Sequence, residues 1–342
     1  MAKERIAYVD FMKGLCMIFI VMGHVSENFF ESIEPLNFLL QSHRVWIPMY
    51  FFLSGLFFKE YDSFSNFLRK KVNGLIITLL FFHFLSSAFK FPLVAIVHAF
   101  RPDIEIQFSL IDIIPPFLGR YWMAAGALWF LVALFMVNIL YYIFQRYFKL
   151  IGTLIAVVLC SIAGWTLMQH KVELPFELDI ALVALPYFML GSVVKRLGLL
   201  EHSKYDKLGL IAIIPCGFLV YHYSTDINLL YQIVPHYLDL YIIPFIGILS
   251  LFWCCKNLGN VPVIGQCGRY SIIILGTHQI IISYIMFALL GFLDIHGMPL
   301  KITAFILVML IELVMVIPFL KSYFPRLTGQ KDFFLPNWKI SQ

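Results

Sequence analysis

Long apolar segments alternate with short polar connections along this chain. A helix needs about 20 apolar residues to cross the hydrocarbon core of a membrane. Segments of about that length span roughly 8–29, 36–58, 73–98, 122–145, 149–169, 178–196, 207–224, 237–255, 269–292 and 300–322. The pattern predicts an all-α polytopic membrane protein, a bundle of about ten transmembrane helices. No internal repeat or long polar block interrupts it, so residues 1–342 are predicted to form a single transmembrane domain.

Composition agrees with this prediction. The hydrophobic fraction is 61%, the charged fraction 13% and the mean hydropathy +0.86. Soluble domains have roughly 45–50% apolar and about 25% charged residues, which excludes a soluble globular enzyme, a disordered chain and a nucleic-acid-binding protein. The six cysteines show neither metal-ligand nor disulfide spacing, so no metal site is expected. The first segment lacks the features of a cleavable signal.

The positions of the positive charges predict the orientation. If the N-terminus is cytoplasmic, most of the 25 Lys and Arg residues fall on the inner side, Lys256 among them. The outer loops are acidic instead. This predicts cytoplasmic N- and C-termini and a multi-pass protein of a plasma (inner) membrane, and the charge pattern favours a bacterial membrane. The longest outer loop, about 99–121, either covers an outward-facing site or is a plain connector.

The first helix carries polar side chains that a transmembrane helix normally lacks. Asp10 precedes Lys13 by three residues, and His24 follows Lys13 by eleven, so all three are predicted to share one face. Lys13 and His24 are then about 16 Å apart along the axis. Ionisable groups at membrane depth usually face a cavity or a partner. The alternative is an interfacial Asp10–Lys13 ion pair and a hydrogen-bonded core histidine.

The second helix and the loop after it add further candidates. Pro48 is predicted to kink the helix, and Ser54 precedes a glycine that would allow close helix packing. Arg44 either snorkels to the interface or binds an anion or sugar hydroxyls. The basic run Arg69–Lys71 either orients the helix and contacts anionic lipid, or binds the phosphates of a cytoplasmic donor.

Four more polar or amphipathic residues lie at membrane depth. Trp129 fits an interfacial aromatic belt, and His278 lies in the middle of its segment. His83 and Glu312 suggest no mechanism beyond pairing with another buried polar group.

The first segment resembles the opening of the acyltransferase-3 family of membrane acyltransferases. The residues that carry the resemblance are Arg5-x-x-x-x-Asp10-x-x-Lys13-Gly14 and His24. In that family a basic residue and a histidine separated by ten residues mark the first helix. The basic residue is usually Arg there, and Lys13 departs from that pattern.

Four later segments are also similar to motifs of that family, in family order. These are Pro48–Gly55 of the second helix, Phe67–Lys71 of the basic turn, Leu128–Leu131 of the fourth helix, and Gly268–His278 of a late helix. The length fits short members without an attached SGNH domain. The nearest likeness is to sugar O-acetylases of bacterial envelope glycans.

The resemblance implies acyl transfer from cytoplasmic acetyl-CoA, or another short acyl-CoA, to a hydroxyl of a glycan or lipid-linked sugar. His24 would be the general base, with Asp10 holding Lys13 in place or taking part in donor binding. The CoA phosphates would contact Lys13, Arg69, Lys70 and Lys71. The substrate pocket would include Arg44, Ser54, Trp129 and His278, and His278 would help to stabilise the oxyanion. Acyl-CoA, the glycan acceptor and membrane lipid are the expected partners.

A transporter or flippase for a lipid-linked glycan or small solute is the alternative, because ten helices with buried charges suit one too. The absence of an inverted repeat or of paired broken helices argues against it.

Overall fold

The fold is described from a computed structural model for residues 6–27, 45–59, 61, 63–100, 125–201, 206–223 and 227–334. Within these ranges the chain is helical almost throughout. No strand forms in them, and Asn228 and Ile233 make an isolated antiparallel bridge.

The α-helices are numbered in chain order. They are α1 (Ala7–Glu27), α2 (Trp46–Leu56), α3 (Phe64–Lys71), α4 (Ile77–Phe100), α5 (Trp129–Tyr147), α6 (Leu150–Gln169), α7 (Leu178–Arg196), α8 (Asp206–Tyr223), α9 (Tyr237–Leu258), α10 (Pro262–Arg269), α11 (Ser271–Gly291), α12 (Gly297–Ile311) and α13 (Ile317–Tyr323). Short 3-10 turns, Gly126–Leu128 and Pro175–Glu177, precede α5 and α7. The π-helical turns Val72–Ile76 and Glu312–Val316 join α3 to α4 and α12 to α13.

Eight helical stretches in the described ranges are long and apolar enough to cross a membrane. They are Ala7–Ser26, Phe64–Phe100, Gly126–Tyr147, Leu150–Gln169, Pro175–Arg196, Tyr237–Leu258, Ser271–Gly291 and Gly297–Tyr323. Two shorter apolar helices, Trp46–Leu56 and Gly209–Tyr223, fall in the two remaining predicted segments. The prediction of an all-α polytopic membrane protein is therefore confirmed, while the orientation stays a prediction.

The second predicted segment differs in one respect from expectation. The described part of this helix begins at Trp46, after Val45 with non-helical φ and ψ angles of −130° and −41°. Pro48 therefore lies in the first turn, where its missing N–H removes no intrahelical bond. The predicted mid-helix kink at Pro48 is wrong for this reason. The part of the segment before Val45 and the loop residues 101–124 lie outside the described ranges.

The chain divides into two compact units. The first comprises Met1–Ile20, Pro35–Glu60 and Met136–Ser271, and the second comprises Val21–Glu34, Tyr61–Phe135 and Ile272–Gln342. Each is described by itself. The prediction that residues 1–342 form a single domain stays a prediction.

In the first unit, α2 and α7 approach each other closely through small residues. A Cβ atom added at Gly55 would lie 2.8 Å from the carbonyl carbon of Phe188, and one added at Gly191 would lie 2.8 Å from the backbone nitrogen of Leu56. Real Cβ atoms essentially never come this close to backbone atoms. The close helix contact predicted from the Ser54–Gly55 pair is thus confirmed at Gly55.

A Gly55→Ala substitution is therefore expected to destabilise the protein by about 1–3 kcal/mol, because the new methyl group forces two backbones apart. Thermal unfolding in detergent would measure this. The matched control is Gly217→Ala on α8, where an added Cβ has no atom within 4 Å. That control should be neutral or stabilising, since alanine favours a helix over glycine by about 0.5–1 kcal/mol. Equal unfolding temperatures for both variants would contradict the prediction.

The first unit also buries a lysine in full. Lys256 at the end of α9 donates to the carbonyl oxygen of Leu199 at 2.8 Å and to Oδ1 of Asp206 at 3.0 Å, and it contacts the carbonyl oxygen of Glu201. The Lys256 and Asp206 side chains are 1% and 7% exposed. This buried ion pair ties α8 and α9 to the residues that follow α7.

In the second unit, α4 packs beside α11, and the segment after α13 binds back to the π-helical turn that precedes α4. Ser86 donates to the carbonyl oxygen of Gly276 at 3.3 Å, and Tyr284 donates to that of Phe89 at 2.7 Å. Near the chain end, the backbone N–H of Phe334 donates to Oδ1 of Asn73 at 3.0 Å. The hydrogen bonds of Ser86 and Tyr284 hold α11, and with it His278, against α4.

Candidate active site

Two histidines lie side by side in the second unit. His24 on α1 and His278 on α11 have ring centroids 5.1 Å apart, with ring planes tilted by 40°. His278 is completely buried, and His24 is partly exposed. Both histidines were predicted site residues, and the structure brings them together.

The hydrogen bonding of His278 fixes its tautomer. Its Nδ1 atom lies 2.7 Å from the carbonyl oxygen of Ile274, one turn earlier on α11. A carbonyl oxygen can only accept, so Nδ1 carries the proton, and in the neutral ring Nε2 has the lone pair. Nε2 is buried and has no hydrogen-bond partner among the described residues. His278 therefore presents an acceptor there, whereas stabilising an oxyanion would need a donor.

Trp129 begins α5 in the same unit and is 3% exposed. The 3-10 turn before it is held by α11, because the backbone N–H of Ala127 donates to Oε1 of Gln279 at 3.0 Å. Gln279 directly follows His278 in the sequence. One segment of α11 thus supplies the buried histidine and fixes the start of the helix that carries Trp129. This burial fits a side chain within the protein better than one in a lipid-facing belt.

The charged residues predicted at the start of α1 belong to the first unit. Lys13 and Asp10 are partly exposed. The Nζ atom of Lys13 lies 5.3 Å from the ring centroid of Phe57, and the hydroxyl of Tyr50 donates to its backbone carbonyl at 2.7 Å. Tyr50 in the middle of α2 and Phe57 directly after its end therefore position Lys13. Asp10, Lys13 and His24 lie on one continuous helix, as predicted.

The basic run Arg69–Lys71 forms the last turn of α3 in the second unit. Arg69 is exposed, and the Nζ atom of Lys71 lies 5.8 Å from the ring centroid of Phe67. Lys70 makes an ion pair of 2.6 Å with Asp332, with side chains 41% and 24% exposed. A phosphate that binds Lys70 would share it with this carboxylate or displace it.

Two more residues, Ser54 and Arg44, were predicted to belong to the pocket. Ser54 lies on α2 in the first unit and is partly exposed, and Arg44 lies outside the described residues. Their pocket roles stay predictions.

Glu312 and His83 are the two residues at membrane depth for which the sequence suggested only pairing with another buried polar group. Glu312 is completely buried at the start of a π-helical turn, and its Oε1 accepts a 2.6 Å hydrogen bond from the hydroxyl of Thr277. The predicted pairing with another buried polar group is confirmed for Glu312. His83 is also fully buried, and its backbone carbonyl accepts from Ser87 at 2.9 Å.

Sequence reasoning missed three residues of this region. They are Gln279, Thr277 and Asp332. Thr277 and Gln279 flank His278, and two polar neighbours of a mid-helix histidine are a signal that could have been used. Asp332 lies in the polar stretch after α13 and had no comparable signal. Within the described ranges, no group of three or more His, Cys, Asp or Glu side chains could hold a metal ion.

These features define a class of protein: a multi-pass helical membrane protein with paired imidazoles in a buried helical region. The comparison with known families then gives the identification. A family model for the acyltransferase domain of the acyltransferase-3 family matches residues 6–320, which is most of the chain. The chain belongs to the acyltransferase-3 family and is a membrane acyltransferase. No curated protein and no solved structure matched it.

Proposed function

We propose that this protein is an integral membrane O-acyltransferase that moves an acetyl group from cytoplasmic acetyl-CoA to a hydroxyl of an envelope glycan or lipid-linked sugar. The observation that carries the proposal is the contact between His24 and His278, with ring centroids 5.1 Å apart. Acyl transfer to a hydroxyl needs a base that removes the hydroxyl proton, and a neutral imidazole is suited to that task near pH 7.

His24 is the general base in this proposal. The acceptor oxygen attacks the thioester carbonyl carbon while its proton passes to a ring nitrogen of His24. The carbon–sulfur bond then breaks, and the CoA sulfur takes the proton from His24. The imidazole is regenerated, and the products are the acetyl ester and CoA. No other reactant is needed.

The proposed donor contacts are cationic. CoA carries several negative phosphate charges, which suit lysine and arginine side chains. We assign these donor contacts to Lys13 in the first unit and to Arg69, Lys70 and Lys71 in the second. On the continuous helix α1, Lys13 and His24 are about 16 Å apart. A long pantetheine arm can span such a distance, so the phosphates and the thioester would meet different parts of one helix. Asp10 would hold Lys13 or help to bind the donor.

The proposed acceptor contacts come from side chains that can stack on a sugar or bind its hydroxyls. Trp129 in the second unit is assigned to these contacts, as are Ser54 and Arg44 from the sequence pattern, and His278 forms the pocket wall beside His24. A multi-pass protein with these groups would act on an acceptor at the plasma membrane, and membrane lipid would surround it.

Transfer of labelled acetyl groups tests the proposal. Purified protein in liposomes would receive acetyl-CoA with a radiolabelled acetyl group and envelope glycolipid. We expect label in the glycan, released by mild alkali as an ester is, and none in liposomes without protein. Labelled succinyl-CoA in parallel would test the acyl group. Movement of unmodified glycolipid across the bilayer, with no label incorporated from either donor, would contradict the proposal and favour the transporter.

A further inference from the structure

His278 is completely buried, and one of its ring nitrogens is an acceptor without a hydrogen-bond partner among the described residues. Its Nδ1 proton is committed to the carbonyl oxygen of Ile274 at 2.7 Å, and its Nε2 lone pair is buried without a partner among the described residues. A buried acceptor that has lost its hydration and gained no hydrogen bond is unfavourable in free energy. A donor near Nε2 would recover that free energy, so the environment of His278 favours a donor there.

His24 is placed to supply that donor. Its ring centroid lies 5.1 Å from that of His278 at a tilt of 40°. Small rotations of two imidazoles at this separation can align an N–H of one with a nitrogen of the other. A neutral imidazole has one N–H and one lone pair. If His24 gives its N–H to His278, its lone pair must lie on the other ring nitrogen.

We propose that His278 is a positioning residue that selects the tautomer of His24 through an N–H···Nε2 hydrogen bond. The inference rests on the proposed function, in which His24 is the base. The chain of bonds runs from the acceptor hydroxyl to the lone pair of His24, from the N–H of His24 to Nε2 of His278, and from Nδ1 of His278 to Ile274. It orients the base much as an outer hydrogen-bond partner orients a metal-ligating histidine.

The bond also acts during the reaction. When His24 takes the hydroxyl proton it becomes a cation, and the lone pair of His278 accepts a stronger, charge-assisted hydrogen bond from it. His278 keeps its own Nδ1 proton throughout, and the proton on His24 leaves with the CoA sulfur. Atoms and charges balance without a second proton acceptor.

Nitrogen NMR of the labelled protein tests this directly. The ten histidines would be labelled with ¹⁵N in the full-length protein in lipid, and the His24 signals assigned by their loss in a His24→Ala variant. At a pH where both rings are neutral, we expect His24 in one tautomer. In His278→Met it should become a mixture, and in His278→Gln, whose amide oxygen can accept, a single tautomer should return. An unchanged His24 tautomer in folded His278→Met would overturn the proposal.

Kinetics give a second readout. His278→Met is expected to lower kcat for acetyl transfer by about 10–100-fold, the usual effect of losing an outer partner, with the KM for acetyl-CoA unchanged. His278→Gln should recover most of that loss. His222→Met on α8, an exposed histidine, is the matched control and should change neither readout. If Met and Gln variants are equally slow, the positioning role is overturned. Absence of transfer by the wild type would refute only the proposed function, because the NMR comparison does not depend on turnover.

Discussion

A His24→Ala variant is expected to transfer acetyl groups about 10²–10⁴-fold more slowly than the wild type, because that is the usual contribution of a general base. The loss should appear in kcat. The base interacts with a proton that moves only during the reaction, so the KM for acetyl-CoA should change little. Initial rates of label transfer into glycolipid, measured in liposomes over a range of acetyl-CoA concentrations, would separate the two constants.

The control for this experiment is His222→Ala. His222 also lies in an apolar helix, α8, but it is exposed and lies beside Phe218, with ring centroids 4.2 Å apart and ring planes tilted by 53°. It should retain normal transfer, which would show that losing a histidine from a membrane helix is not harmful in itself. Equal kcat values for His24→Ala and the wild type would refute the assignment of the base to His24. The oriented lone pair of His278 would then be the next group to test.

The membrane helices could be predicted from the sequence because their signal is local. Apolar runs of the right length identify a spanning helix regardless of the rest of the fold. The same locality allowed Asp10, Lys13 and His24 to be placed on one helix, since residue spacing fixes their separation along the axis. Pro48 shows the limit of such reasoning. A proline kinks a helix only in its interior, and Pro48 falls in the first turn of the described helix, which begins at Trp46.

The contacts between distant segments could not be predicted in this way. Nothing in the sequence near His24 indicates that its ring meets His278, and nothing near Lys70 indicates Asp332. Those contacts depend on how helices pack, which residue periodicity does not determine. The family resemblance named both histidines but assigned them separate roles. Their distance and the Ile274 hydrogen bond are what relate one ring to the other.

Lys256 illustrates the same limit and leads to the prediction with the largest expected effect on stability. Its position fits a cytoplasmic charge that orients a helix, yet the structure buries it in an ion pair with Asp206. A Lys256→Met substitution is expected to destabilise the protein by about 3–5 kcal/mol, because it leaves a buried carboxylate without its cation. The carbonyl oxygens of Leu199 and Glu201 lose their donor too. Thermal unfolding of the purified protein in detergent would measure the loss.

Two further variants test whether the instability of Lys256→Met comes from the broken ion pair or from the loss of the other contacts of the lysine. Lys207→Met removes an exposed lysine on α8 and should leave the unfolding temperature nearly unchanged. The double variant Lys256→Met/Asp206→Asn should be more stable than Lys256→Met alone, because it no longer buries a carboxylate that has lost Lys256. If instead the double variant is as unstable as Lys256→Met, the lost backbone hydrogen bonds of Lys256 outweigh its ion pair. A Lys256→Met variant as stable as Lys207→Met would show that the ion pair does not stabilise the first unit.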